Sequence, residues 1–232
     1  NRMSTVETNL VQPSTGTTLT LGASGDTVAV GTGASTSGFD SGLASVQTFT
    51  SSGTWTRPSG ITKVIMKVQG AGGGGSHGTQ NSGGGGGGYC EKFLNVSSIS
   101  TSTITVGAAG AAVASGTTGN GGDGGSSIWA DGTNTVTAGG GDGGDTTTYV
   151  VSDGGTATGG DVNIVGQSTM NTPAWNSPGD SVLGFGGLYP ATGASAGTQD
   201  GKGYGGGGSG WSGYTLPTGA GGPGIVIVWE YK

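Results

Sequence analysis

The sequence predicts an all-β protein in which short strands carry stacked polyglycine II helices. Three observations point there. Glycine makes up 58 of 232 residues, against a usual share of roughly 7%. Its runs are interleaved with Trp, Tyr, Ile and Val, whereas a flexible linker would be Gly and Ser without aromatics. Two apolar, β-branched segments bracket the runs: Thr48–Gly75 (TFTSSGTWTRPSGITKVIMKVQGAGGGG) and Gly219–Lys232 (GAGGPGIVIVWEYK). Helix is disfavoured throughout, since each glycine costs a helix about 1 kcal/mol relative to alanine. Collagen is excluded by the missing Gly-X-Y period and by only seven prolines.

Residues 1–45 read as a shaft segment. Thr17–Leu21 (TTLTL) and Thr27–Val30 (TVAV) alternate apolar residues with threonine, and Gly/Asp/Ser turns separate them. Strands this short bury no core alone. Three chains wrapped about one axis would each supply one face of a prism, so a parallel homotrimer is expected here. Residues 46–232 form the second unit, a glycine-rich head.

The head begins with strand Val46–Thr50, a turn at Ser51–Gly53 and a return strand carrying Trp55. Arg57–Gly60 (RPSG) is a second turn, with proline preset for its first central position. From Val64 the period is two, which puts Val64, Met66 and Val68 on one face. Lys63 and Lys67 read as solvent-facing guards of an exposed strand edge. Tyr89–Val106 carries two strands, and Ser126–Val136 is a hairpin about Ala130-Asp131-Gly132. Cys90, the one cysteine, reads as a small buried hydrophobe.

Eight glycine runs follow one another from Gly70–Gly75 to Gly219–Gly224. Bare backbones can approach closely and pair N–H with C=O between neighbours, which satisfies buried polar groups without side chains. A large inward side chain would push such layers apart. The segments between runs, including Ser76–Ser82, Ala108–Thr118, Asp145–Asp153, Asp161–Leu183, Leu188–Lys202 and Tyr214–Thr218, read as loops. Loops on a rigid scaffold are where recognition concentrates.

Two stretches resemble known proteins. PSTGTTLTLGASGDTVAV (residues 13–30) is similar to the repeats near the shafts of phage tail fibres. FTSSGTWTRPSGITKVIMKVQGAGGGG and GAGGPGIVIVWEY together resemble the glycine-rich head domain of phage tail-fibre proteins and adhesins, over roughly residues 46–232. The resemblance implies a layered sandwich of polyglycine helices and a place on the virion, outside the cell. It also implies a receptor on the host surface, either an outer-membrane protein or a glycan, and other tail-fibre subunits as partners.

The rest of the sequence bears on chemistry. Charged residues are 9% of the chain and the net charge is −6, which argues against nucleic acid or anionic membrane. Gly74–Gly78 (GGSHG) and Gly193–Gly197 (GASAG) match G-x-S-x-G, but no helix follows either serine as a nucleophile elbow requires. No catalytic residue, metal ligand or cofactor site is assigned. Asp123, Asp142 and Asp145 could share a calcium ion, yet they read better as solvated turn aspartates. Aromatics are the stronger signal, because rigid rings with a polar tip suit sugars and protein surfaces. Trp175, Tyr189, Tyr204, Trp211 and Tyr214 are the candidate receptor contacts, with His77 as a further one. Trp129, Phe185 and Trp229 are expected in the core. The function expected is a non-enzymatic tail-fibre adhesin; the alternative is a structural subunit of an extracellular filament or surface layer.

Overall fold

A computed structural model describes residues 42–78, 81–147, 150–169, 177–188, 199–211 and 216–232. The leader strands at Thr17–Leu21 and Thr27–Val30 lie outside the described residues. The strands are β1 (Leu43–Phe49), β2 (Gly53–Thr56), β3 (Lys63–Gln69), β4 (Tyr89–Asn95), β5 (Thr101–Thr105), β6 (Ser127–Ala130), β7 (Thr135–Ala138), β8 (Ala157–Thr158), β9 (Val162–Ile164), β10 (Gly184–Phe185), β11 (Lys202–Gly203) and β12 (Ile225–Tyr231). They form two five-stranded antiparallel sheets and one hairpin, β10–β11. Sheet A has the order β1-β12-β3-β4-β9 and sheet B the order β2-β5-β6-β7-β8. Among the described residues there is no helix.

The two sheets pack face to face. Val64, Met66 and Val68 of β3 point inward as their period requires, beside Cys90, Val226 and Val228. Sheet B answers with Trp55, Ile104, Trp129 and Val136. The indoles of Trp55 and Trp129 meet at 5.0 Å between ring centroids, tilted by 48°. Such a tilted contact avoids the repulsion of a face-to-face stack. Cys90 is fully buried, and its thiol donates to the Thr137 carbonyl oxygen at 3.1 Å.

One charge lies inside this core. Glu230 is fully buried. Its carboxylate accepts from Trp55 Nε1 and Gln47 Nε2, each at 2.7 Å, and from the Ser45 hydroxyl. The three donors come from β1 and β2, so this carboxylate ties the last strand of the chain to the first two.

Several sequence expectations are corrected here. The FTSSGTWT segment is not a hairpin: β1 pairs with β12 in sheet A, while β2 pairs with β5 in sheet B. The chain crosses between sheets at Ser51–Ser52, which lets Phe49 and Trp55 enter one core from opposite sides. Lys63 and Lys67 guard no edge, because β3 is bonded to β12 and β4 on its two sides. Lys67 Nζ instead lies 4.6 Å from the centroid of the Trp229 ring, a cation–π contact. Trp129 is core as expected, but Trp229 is half-buried on the outer face of sheet A. Phe185, also expected inside, is 72% exposed on the β10–β11 hairpin. The supposed loop Asp161–Leu183 contains edge strand β9, and the supposed loop Leu188–Lys202 ends in β11.

The expected hairpin at Asp131 is present as β6–β7. Asp131 Oδ1 accepts from the N–H groups of Thr133 (2.9 Å) and Asn134 (2.7 Å), and Gly132 takes φ +88°. Partial burial pushes the Asp131 carboxyl up, but the N–H groups of Asn134 and Thr133 outweigh it and hold the group below its ordinary value. A lowered folded-state pKa stabilises the fold above the unfolded value, and that contribution is lost as pH falls through the folded value. Asp131→Ala is therefore expected to cost about 1 kcal/mol at pH 7. In thermal melts, the gap between variant and parent should close on strong acidification.

The glycine runs continue from the strand ends. Gly70, Ala71 and Gly72 donate in turn to the carbonyls of Gly88, Gly125 and Gly222 at 2.9–3.0 Å. Gly73, Gly74 and Gly75 then repeat the cycle with Gly85, Gly122 and Gly219, at 2.9 Å each. The carbonyls of Ala71, Gly72, Gly73 and Gly74 accept from Gly141, Gly110, Gly208 and Gly144. The run after β3 thus sits at the centre of the layers, bonded to neighbours on all sides with a three-residue period. Ala71 is its one residue with a side chain, and that methyl is fully buried. Gln69 makes the joint between sheet and layers. Its Nε2 donates to the Gly70, Gly87 and Gly88 carbonyls at 2.9–3.1 Å, and its Oε1 accepts from Leu183 N at 3.3 Å.

Candidate functional site

At the strand end, the glycine layers rest on Gln69. At the other end they give way to loops. Six buried serines and threonines stand there. Ser76 Oγ accepts from Ser82 N (2.8 Å) and donates to the Asp145 carbonyl (2.8 Å). Ser82 Oγ accepts from Asp145 N (2.7 Å) and lies 3.3 Å from Ser152 Oγ. Ser152 N donates to Thr169 Oγ1, Gln199 N to Ser209 Oγ, and Val113 N to Thr218 Oγ1. Ser76, Ser82, Ser152, Thr169, Ser209 and Thr218 are all buried. The hydroxyls take up backbone groups that a loop leaves unpaired when it departs from a layer.

Above this belt, loops from separate parts of the chain come together. His77 and Gly119 exchange both backbone hydrogen bonds, at 2.9 and 3.0 Å. Trp211 N donates to Ser76 O, and Gly78 N donates to Trp211 O. Asn120 Oδ1 accepts from the N–H and hydroxyl of Thr146. Residues near 77, 119, 146 and 211 therefore share one end of the glycine layers. None of these contacts is legible from sequence distance. The hydroxyls carry a simple sequence signal: Ser76, Ser82, Ser209 and Thr218 each adjoin a glycine run on its loop side.

The candidate contacts separate on this frame. Trp211 lies at the loop end, half-buried, and its indole N–H is buried without a hydrogen-bond partner among the described residues. His77 lies at the same end but is 1% exposed, so its ring is packed inside and offers no surface to a receptor. Tyr204 lies at the opposite end, beside the sheet. Its N–H donates to Leu183 O, and its carbonyl accepts from Ser181 Oγ. Six residues, Gly205–Gly210, lie between Tyr204 and Trp211, a reach of at most roughly 25 Å. Trp175, Tyr189 and Tyr214 lie outside the described residues.

Two of the aspartates accept hydrogen bonds from neighbouring groups. Asp123 Oδ1 accepts from Gly143 N at 2.8 Å, and Asp145 Oδ2 accepts from Asn120 Nδ2 at 3.2 Å. They line a shallow cleft with Asp142, Val150 and Val151. Burial, then the charges of Asp123 and Asp153, push the Asp142 carboxyl up. Hydrogen bonds from Thr147 hold Asp145 down. Among the described residues, no group of three or more His, Cys, Asp or Glu is placed to hold a metal ion.

One sequence family matches this architecture from its first strand to its last. The match runs over residues 44–231 and carries the description glycine-rich domain. The chain belongs to the glycine-rich domain family. No curated protein matches the chain. In this glycine-rich domain the interior of the layers is backbone, so the groups that differ chemically from place to place stand at the loop end and on the outer faces.

Proposed function

We propose that this glycine-rich domain is the distal, receptor-binding part of a phage tail fibre, carried on the virion and acting without catalysis. The runs would be stacked polyglycine II helices, a reading supported by their three-residue hydrogen-bond period. The observation that carries the functional reading is the gathering of loops from distant parts of the chain at one end of a backbone-bonded scaffold. A glycine scaffold fixes positions but carries no side-chain information, so recognition falls to what it displays. The partner would be an outer-membrane protein loop or a glycan on the host surface. Residues 1–45 would join the copies as a parallel homotrimer and connect them to other fibre subunits.

The test is a cell-binding titration with the purified chain, which should also block infection and leave the receptor uncleaved. Trp211→Ala should weaken binding by about 2 kcal/mol with an unchanged melting curve. Trp175→Ala, Tyr189→Ala and Tyr214→Ala are the companion variants. Tyr204→Ala should bind like the parent, because Tyr204 stands at the other end. A chain that ignores host cells and assembles end to end would instead be a filament subunit.

A further inference from the structure

The glycine runs have an outward edge, and side chains stand along it every third residue. In the run 184–188, Phe185 and Leu188 are 72% and 73% exposed, while Gly184 and Gly187 are buried. In the run 177–180, Ser177 and Asp180 are exposed, while Pro178 and Gly179 are buried. These two runs touch: a Cβ on Gly186 would stand 2.6 Å from the Pro178 carbonyl oxygen. A third run adjoins the second, where Gln167 N donates to Asp180 O at 3.0 Å. Gln167, Ser177, Asp180 and Leu188 line a cleft of about 270 Å3 between these edges. It lies on the side of the layers, just short of the buried Thr169.

The chemistry of the cleft says what it takes. Gln167 Oε1 accepts from Asp180 N at 3.1 Å, and Asp180 Oδ1 accepts from Gly186 N at 2.7 Å. Each side chain is anchored by one atom, which leaves Gln167 Nε2 to donate and Asp180 Oδ2 to accept. A hydroxyl both donates and accepts, so two adjacent sugar hydroxyls satisfy an amide N–H and a carboxylate oxygen together. The C–H face of a pyranose is apolar and packs on an apolar side chain. Leu188 supplies one in the cleft. Phe185 stands one turn away on the same edge, about 9 Å in polyglycine II geometry, where a short oligosaccharide seated in the cleft reaches it. Lys202 is opposite Phe185 in the β10–β11 register, and such paired side chains share one side of the ribbon. Its charge offsets that of Asp180, so the cleft favours a neutral ligand. Ligand sites run from roughly 300 to 1,000 Å3. This cleft is at the small end of that range, the size for a sugar ring rather than a protein loop.

We propose that this cleft is a subsite for a neutral hexopyranose of an oligosaccharide. Asp180 and Gln167 take adjacent hydroxyls, and Leu188 and Phe185 take the C–H faces of the sugar. Trp211 is not part of this subsite, and sugar binding here does not require receptor binding at the loop end.

Saturation-transfer NMR of the full chain with lactose, maltose and N,N′-diacetylchitobiose tests it. At least one disaccharide should take up saturation, most strongly on its ring C–H protons. Phe185→Ala and Asp180→Asn should each weaken that binding by roughly fivefold, the loss of one ring contact or one charge-assisted bond. Asp180→Asn keeps the oxygen that Gly186 N uses, and Phe185 is exposed, so both variants should fold, which circular dichroism checks. Phe185→Tyr keeps the ring and should bind like the parent. Trp211→Ala should also bind the sugar like the parent while it weakens binding to cells, so the two readings fail separately. No transfer to any of the disaccharides overturns the subsite, as does transfer that survives both folded variants. Transfer lost in Trp211→Ala overturns it too, since the sugar then sits at the loop end.

Discussion

Gly86→Ala is expected to remove most of the stability of the domain. A Cβ on Gly86 would stand 1.9 Å from the carbonyl oxygen of Asp180 and 2.6 Å from its carbonyl carbon. Neither atom is the end of a flexible side chain, so backbone must shift. That shift breaks two further bonds: Gly86 N to Gln167 O at 2.9 Å and Gly155 N to Gly86 O at 2.8 Å. Overpacking costs about 1–3 kcal/mol, and each buried backbone group left unpaired costs about 1–3 more. The expected loss is about 4 kcal/mol or more, against a total stability of about 5–15 kcal/mol for a domain. Gly85→Ala should behave alike, because its Cβ would meet Asp153 O at 2.1 Å. The comparison is Gly53→Ala in β2, where a Cβ meets nothing within 4 Å. That variant should stay within about 0.5 kcal/mol of the parent. Urea titrations of the three variants decide the matter. Parent-like midpoints for Gly85→Ala and Gly86→Ala would refute a close-packed glycine interior.

This contrast explains which parts of the fold could be read from the sequence. Glycine runs announce that backbones pack against backbones, because no other residue leaves the space. They do not announce which run meets which. Gly70 finds Gly88, but Ala71 finds Gly125 and Gly72 finds Gly222; partners with identical side chains, or none, carry no pairing signal. The strands were legible where period two ran cleanly, as at Val64, Met66 and Val68. They were misread where topology decides. Phe49 and Trp55 are six residues apart, and nothing local says that the chain changes sheets between them. A lysine inside a β pattern usually faces water at an edge, and Lys67 reads that way locally. Its stem instead lies across a central strand, with the ammonium over Trp229.

The candidate site was legible in kind but only partly in place. That loops between runs would carry recognition follows from the chemistry of glycine alone. That Trp211 would stand with the loops, and Tyr204 beside the sheet, depends on where along a run each residue falls. Counting from the strand end would have separated them, since Tyr204 adjoins β11 and Trp211 follows the run Gly205–Gly210.

Trp55→Ala should be the most damaging change in the β sandwich. The indole is fully buried and packs against Trp129, tilted, at 5.0 Å between ring centroids. Truncating a buried tryptophan costs about 3–5 kcal/mol through lost contacts and the cavity left behind. Here a second loss adds to it. Trp55 Nε1 donates to Glu230 Oε1, and that carboxylate has no room to reach water. Removing the donor leaves a buried charge with one fewer partner, which costs more than an apolar truncation of the same size. Trp55→Phe narrows the change, since it keeps a six-membered ring in the core while removing the donor and the rest of the indole. Glu230→Gln in the Trp55→Phe background should recover part of the loss, because a neutral amide needs less compensation than a carboxylate. Denaturant titration of the single and double variants measures the coupling. Strict additivity would mean that the indole N–H does not support the Glu230 charge, and that β2 is held to β12 by packing alone.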